Sequence, residues 1–122
     1  MCDKMKKTKM LKKNYEFKKV LSKGNFFIEK NIQICVLKND LNFNLLGIAI
    51  GKKNGKSFLR NRAKRLIRES YKNIENQMLT GYSIIIMIKK GTDLKNINFH
   101  DVFEQIMRCF FKANILKEVN DL

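Results

Sequence analysis

The sequence lacks several features that mark common classes of protein. It has no proline and no tryptophan, one histidine, and only 11 acidic residues in 122. Its longest unbroken apolar run, Ile84–Ile88, is far too short to span a bilayer, and no apolar segment follows the basic N-terminus as in a signal peptide. We therefore expect a cytoplasmic protein without a membrane partner.

Groups suited to catalysis or metal binding are also scarce. Cys2, Cys35 and Cys109 are odd in number and far apart, which indicates free thiols in a reducing compartment. His100 is the only histidine, and its place near the start of an apolar-patterned helix is typical of a capping or surface residue. The acidic residues lack metal-ligand spacing, and "GKKNGKSF" lacks the spacing of a P-loop. We identify no catalytic residue and no metal site in this chain.

Positive charge is abundant but confined to two segments. Of the net charge of +15, residues 1–24 carry +7, from nine lysines against two acids, and residues 52–72 carry +8, from nine basic residues against one acid. Four of the five arginines fall within nine residues: Arg60, Arg62, Arg65 and Arg68. Arginine matches phosphate with a planar fork of donors and stacks on bases, which lysine cannot do. The sequence therefore predicts a polyanionic partner, of which nucleic acid is the commonest.

The apolar pattern predicts one small domain. Residues 1–10 are expected to form a flexible basic arm and residues 11–122 a single domain. Helices are predicted at 11–21, stopped by Gly24, at 57–74, capped by Ser57, and at 98–117. Strands are predicted at "FFIEKNIQICVL", either continuous or split in two, and at "LLGIAIG" and "YSIIIMI". The order is α-β-β-(β)-α-β-α, and the first two of these segments are expected to pair antiparallel.

The predicted helix at 57–74 separates into two faces at about 100° per residue. The apolar face consists of Leu59, Ala63, Leu66, Ile67, Ser70 and Ile74, and the basic face of Arg60, Asn61, Lys64, Arg65, Arg68 and Lys72, with Arg62 just outside it. A solvated face normally intersperses acids that pair with bases four residues away, whereas this segment has Glu69 alone, off the basic face. The mutual repulsion favours a surface that binds a polyanion.

Two aromatic residues stand apart from the others. Tyr15 and Phe17 lie between lysine pairs, where an exposed ring is suited to stacking on an unpaired base. We expect one of the two to be buried and Phe17 to be exposed. The remaining phenylalanines in apolar-patterned segments are predicted to be core residues: Phe26, Phe27, Phe103, Phe110 and Phe111.

The segment "LGIAIGKKNGKSFLRNRAKRLIRES", with "LKKNYEFKKVLSKG" upstream of it, resembles the protein subunit of bacterial ribonuclease P. The hallmark is a strand ending in Lys-Lys, a glycine two residues later, and a helix with Arg-Asn-Arg-x-x-Arg spacing. The resemblance spans about residues 9–117. It implies an α+β fold, a two-layer α-β sandwich with a left-handed βαβ crossover, which is an exception to the usual right-handed rule.

The resemblance also implies a function. Proteins of this family bind a large catalytic RNA, and the pair removes the 5′ leader from precursor tRNA. The chemistry belongs to the RNA and its Mg²⁺ ions, and no obligate protein partner is expected. The resemblance assigns RNA-subunit contact to Lys52, Lys53, Arg60, Asn61, Arg62, Lys64, Arg65, Arg68 and Lys72. It assigns the leader path, a cleft between the first helix and the sheet, to Lys12, Lys13, Phe17 and Leu21.

Three positions depart from the family pattern. Leu21 stands where an aromatic residue is common, and Ala49 and Gly51 replace frequent serines, which affects the expected leader contacts but not the arginine helix. Two other functions remain open from the residues alone. A general structured-RNA-binding protein would use the same basic helix without a leader cleft, and a DNA-binding module is less consistent with an arginine helix flanked by strands.

Overall fold

The computed structural model describes residues 7–117, which form three helices and a five-stranded sheet. The strands are β1 (Thr8–Met10), β2 (Asn25–Ile28), β3 (Ile32–Lys38), β4 (Asn44–Ala49) and β5 (Tyr82–Ile88). The helices are α1 (Asn14–Lys23), α2 (Ser57–Ile74) and α3 (Phe99–Lys112), and single 3₁₀ turns occur at Lys52–Asn54 and Glu75–Gln77. No helix in this part of the chain combines the length and apolarity needed to cross a membrane.

The sheet order is β1-β4-β5-β3-β2, with β5 at the centre. Strands β1, β4 and β5 run parallel, whereas β3 pairs antiparallel with both β5 and β2. The expectation that β3 and β4 pair with each other is wrong, because β5 lies between them. Its run of isoleucines is buried on both faces, which favours a central position over an edge. The first strand segment, expected to be either continuous or split in two, is split by the turn between β2 and β3.

The two faces of the sheet are covered differently. Alternate residues of β3 and β5, beginning with Ile32 and Ile84, pack with α2 and α3 in the larger core. The intervening residues, among them Cys35 and Ile85, pack against α1 in a smaller cluster on the other face. The α+β class is confirmed, with two helices on one face and α1 on part of the other. Helix α2 connects the adjacent parallel strands β4 and β5, and the handedness of this crossover stays what the resemblance implies.

The last residues of the predicted flexible basic arm, 1–10, form a strand. Residues 1–6 lie outside the described part of the chain, but Thr8–Met10 is an edge strand paired with β4. The Thr8 hydroxyl donates to Glu75 Oε2 at 2.6 Å and lies 2.7 Å from the Tyr71 hydroxyl. Burial raises the pKa of Tyr71 to about 12. This buried polar cluster ties the segment to α2, so at least residues 8–10 belong to the domain.

The helix ends differ from the predicted ones by a few residues. Helix α1 begins at Asn14 because Leu11 continues β1 with a backbone hydrogen bond to Leu46, and α3 ends at Lys112. Ser57 is the first residue of α2 and not its cap, which is Lys56. These shifts leave the two predicted faces of α2 unchanged.

Candidate nucleic-acid interface

Helix α2 presents its basic residues away from the sheet. Ala63, Ile67, Ser70, Tyr71 and Ile74 are buried inward, as the helical periodicity requires. The outer surface consists of exposed Asn61, Arg65 and Arg68 and half-buried Arg60, Lys64 and Lys72. We call these six residues the basic face of α2.

Within residues 7–117, no ion pair neutralises the charge of the basic face. The ion pairs found among residues 7–117 join Glu29 or Glu104 to cations of α3, namely His100, Arg108 and Lys112. Within that same range no ion pair reaches α2. A helix that leaves so many cations unpaired is suited to a polyanion, because binding relieves their repulsion.

Two arginines of the predicted site have partners inside the protein. The Arg62 guanidinium donates to the carbonyl oxygens of Leu94 and Ile97, at 3.3 and 2.9 Å, and so holds the segment between β5 and α3. Arg60 donates to the carbonyl of Gly55 and to the Ser57 hydroxyl, at 3.1 and 3.2 Å. Arg62 therefore has a structural use that its sequence spacing did not indicate, whereas Arg60 is oriented by the start of its own helix.

Replacing Arg62 by alanine is expected to lower the free energy of unfolding by about 1–3 kcal/mol, because two carbonyl groups lose their donor. Urea denaturation measures this loss. Arg65→Ala is the matched control, since Arg65 is exposed on the same helix and has no hydrogen bond or ion pair within residues 7–117. Equal stability of the two variants would show that Arg62 does not hold this segment.

A cluster of lysines joins the start of α2 to one end of the sheet. Lys52, Lys53 and Lys90 surround a cavity of about 240 Å³, with Gly51 and Ile88 also in its wall. The strand ends of β4 and β5 bring these lysines together because the two strands are parallel neighbours. Lys90 was missed in the sequence analysis, although "KK" after the last strand repeats the "KK" that follows β4.

On the opposite face of the sheet, α1 leaves a row of side chains partly uncovered. The pairing register places Ala49, Met87, Gln33 and Ile28 side by side across β4, β5, β3 and β2. The first three are half-buried, and Ile28 is exposed on the edge strand. We call this row the open face. It ends next to the lysine cluster, because Ala49 and Met87 lie two residues before Gly51 and Lys89, where the chain leaves β4 and β5.

The predicted leader-binding residues lie along α1 with different exposures. Lys12 and Lys13 are exposed at its start, and their backbone N–H groups donate to the Glu16 carboxylate, which lowers the pKa of Glu16. Leu21 is 37% exposed one turn after Phe17, on the same side of the helix. Their common flank of α1 borders the open face.

The prediction that Phe17 is the exposed ring is wrong. Tyr15 is 66% exposed, whereas Phe17 is half-buried. A β-carbon added at Gly47 would lie 2.6 Å from Cε1 of Phe17, so the ring packs directly on the backbone of β4. The reason is helical geometry: Phe17 lies about 60° around the helix from buried Val20, and Tyr15 about 140°.

Two phenylalanines predicted as core are also exposed. Phe26 is 45% exposed and Phe111 is 74% exposed. The alternation in "NFFI" identifies Phe26 and Ile28 as sharing one face of β2, and only Phe27 faces the core beneath α3. Phe26 therefore lies on the side of the sheet that carries α1, where it adds to the exposed apolar surface.

The described residues contain no obvious catalytic constellation. His100 is exposed on α3 and lies 3.5 Å from Glu104, which fits the predicted surface role. Cys35 and Cys109 are buried free thiols, as predicted, and burial raises the pKa of Cys109 to about 11. Cys2 lies outside the described residues. Between residues 7 and 117, no three metal-ligating side chains of histidine, cysteine, aspartate or glutamate come together.

Comparisons with known proteins point to one family. The family model for ribonuclease P matches residues 5–114. The ribonuclease P protein component of Natranaerobius thermophilus is 37% identical over 108 residues, covering 88% of this chain and 92% of that protein. The Clostridioides difficile component is 36% identical over 110 residues, covering 89% and 95%.

Solved structures give the same result for the fold. The Staphylococcus aureus RNase P protein superposes with a TM-score of 0.78 at 25% identity, covering 88% of this chain and 97% of that one. The Thermotoga maritima RNase P protein has a TM-score of 0.75 at 22% identity, covering 82% and 93%, and supports the fold alone. Since the family model spans most of the chain and relatives above 30% identity cover nearly all of it, this chain belongs to the ribonuclease P protein family.

Proposed function

We propose that this chain is the protein subunit of ribonuclease P, which binds the catalytic RNA subunit and the 5′ leader of precursor tRNA in the cytoplasm. It assists endonucleolytic removal of the leader, which generates the mature 5′ end of the tRNA. The catalytic groups belong to the RNA subunit, through which the Mg²⁺ ions act. The observation that carries this proposal is the basic face of α2, which no ion pair reaches within residues 7–117 and which lysines join to the open face of the sheet.

The basic face of α2 is the proposed contact with the RNA subunit. Its exposed guanidinium groups at Arg65 and Arg68 are free to form forked contacts with phosphate oxygens. Lys52 and Lys53 extend the contact toward the sheet. Arg62 stays within the proposed interface as a residue that shapes it, since two of its donors already serve the protein.

The open face is the proposed path of the single-stranded leader. It offers apolar surface for unpaired bases at Met87 and Ile28, flanked by Phe17 and Leu21 of α1. Lys12 and Lys13 lie at the start of the same helix and are placed to meet the leader phosphates. Contacts to the leader strengthen binding of precursor over mature tRNA, because only the precursor carries it.

Cleavage of a leader-bearing precursor tRNA at low Mg²⁺ tests the proposal. A bacterial ribonuclease P RNA is expected to yield the correct 5′ end only when this protein is present, because its cations reduce the Mg²⁺ that the RNA requires. If about six to eight phosphates are neutralised, log K should fall against log salt with a slope of roughly −4 to −7. Tight RNA binding without any gain in cleavage would instead indicate a general structured-RNA-binding protein.

Replacing Leu21 by phenylalanine is expected to increase affinity for precursor tRNA by about fivefold or more, since stacking on an aromatic ring contributes about 1–3 kcal/mol per base. Leu21 is 37% exposed, so the larger ring has room beside the open face. Affinities of the reconstituted holoenzyme for precursor and mature tRNA are compared. An equal gain for both substrates, or no gain, would contradict the leader path along this flank of α1.

A further inference from the structure

A second recess lies on the other flank of α1, away from Phe17 and Leu21. It is a cavity of about 330 Å³ between α1 and the turn that joins β3 to β4. Its floor is apolar and consists of Leu11, Val20, Leu37 and Leu45. The volume is at the lower end of the range of about 300–1,000 Å³ that is typical of small-molecule sites. The cavity is thus large enough for a flat heteroaromatic group.

The wall of this cavity contains a buried hydroxyl group whose hydrogen has no acceptor among the described residues. Ser83 is only 5% exposed, and its Oγ accepts a hydrogen bond from Asn39 Nδ2 at 3.2 Å. Within residues 7–117 the hydroxyl hydrogen has no acceptor. Asn39 is held in place because its Oδ1 accepts from the backbone N–H of Leu41 at 2.8 Å. Buried polar groups are normally satisfied by protein or by water, so this hydroxyl hydrogen is available to a ligand that carries an acceptor and enters the cavity.

The charged groups around the cavity balance one another. The charged residues that line it are two lysines, Lys19 and Lys38, and two acids, Glu16 and Asp40. The Glu16 carboxylate is engaged by the backbone N–H groups of Lys12 and Lys13. A balanced rim does not favour a phosphate group. It favours a neutral group that both donates and accepts hydrogen bonds, as the edge of a nucleobase does.

An aromatic ring stands beside the cavity. Tyr15 lines it while remaining 66% exposed, and the Lys13 ammonium lies 5.8 Å from the centroid of its ring. An exposed ring next to an apolar floor is suited to stacking on an unpaired base that lies outside an RNA helix.

We propose that this cavity binds one unpaired nucleobase of the RNA partner, with the Ser83 hydroxyl donating to a base acceptor and Tyr15 stacking on the base. This inference rests on the proposed function for the identity of the partner as RNA. The cavity is distinct from the open face because Phe17 and Leu21 lie on the opposite flank of α1.

The test uses nuclear magnetic resonance with the full ¹⁵N-labelled chain and no RNA subunit, so it does not depend on cleavage activity. Each of the four nucleoside 5′-monophosphates is titrated, with ribose 5-phosphate as the control that lacks a base. We expect amide shifts at Tyr15, Asn39 and Ser83 with at least one nucleotide and none of these shifts with ribose 5-phosphate. Equal shifts with ribose 5-phosphate, or nucleotide shifts confined to other surfaces, would overturn the proposal while leaving the proposed function intact.

Two variants test the hydrogen bond from Ser83 and the stacking on Tyr15 separately. Ser83→Ala should weaken nucleotide binding at the cavity about three- to tenfold, as expected for one lost hydrogen bond, whereas Ser22→Ala, at an exposed position of α1, should not. Tyr15→Ala should weaken it at least about fivefold through lost stacking, and its exposed position leaves the core intact. Unchanged affinity in Tyr15→Ala would overturn the stacking geometry even if Ser83→Ala failed to fold.

Discussion

Replacing Arg65 and Arg68 together by glutamate is expected to weaken binding of the ribonuclease P RNA by about 3–6 kcal/mol, given about 1.5–3 kcal/mol for each hydrogen bond to a charged group. Both side chains are exposed on α2 and have no partner within residues 7–117. The substitutions therefore change the interface without removing a contact that holds the fold. Repulsion between the new carboxylates and phosphate adds to the loss.

The measurement is a filter-binding or calorimetric titration of the RNA subunit at fixed salt. Arg65→Lys with Arg68→Lys keeps the charge but removes the planar fork, so an intermediate loss would separate geometry from charge. The single variant Arg65→Glu is also measured. Its control is Lys23→Glu, which makes the same change of charge at the end of α1, on the other side of the sheet. Unchanged affinity in the double glutamate variant would remove α2 from the RNA interface.

Replacing Gly24 by alanine is expected to lower the free energy of unfolding by about 3 kcal/mol, near the top of the usual cost of overpacking. A β-carbon at Gly24 would lie 2.7 Å from the carbonyl oxygen of Val20 and 2.9 Å from that of Val36. Both are backbone atoms, so relief requires α1 to move away from β3. The φ of Gly24 is −80°, which shows that close approach and not a left-handed conformation requires glycine here.

Gly51→Ala is the matched control for this prediction. No heavy atom lies within 4 Å of a β-carbon placed there, and the φ of −64° suits alanine. Urea denaturation is expected to show a large loss for Gly24→Ala and almost none for Gly51→Ala. Similar stability in both variants would contradict the tight contact between α1 and β3. A folded but weakened Gly24→Ala protein should also discriminate poorly between precursor and mature tRNA, because α1 borders the open face.

The proposed RNA interface could be predicted from sequence where its residues share one element. The basic face of α2 follows from helical periodicity, and the structure places its residues as the sequence indicated. The proposed leader path was harder to predict because it joins α1 to four strands. The prediction of which ring is exposed, Tyr15 or Phe17, was wrong because both rings have lysine neighbours in the sequence. Only the packing of Phe17 on Gly47 distinguishes them.

Sequence by itself determined the confined positive charge, the two faces of α2, most of the elements and the family. Those properties depend on neighbours within a few residues, or on motifs that lie in one continuous segment. Tertiary structure alone decided that β5 lies between β3 and β4, that Arg62 binds the carbonyls of Leu94 and Ile97, and that Ser83 and Asn39 meet beside α1. These contacts join residues 32 to 44 positions apart. Local periodicity carries no information about which distant partner satisfies a buried donor, because that depends on how the whole chain packs.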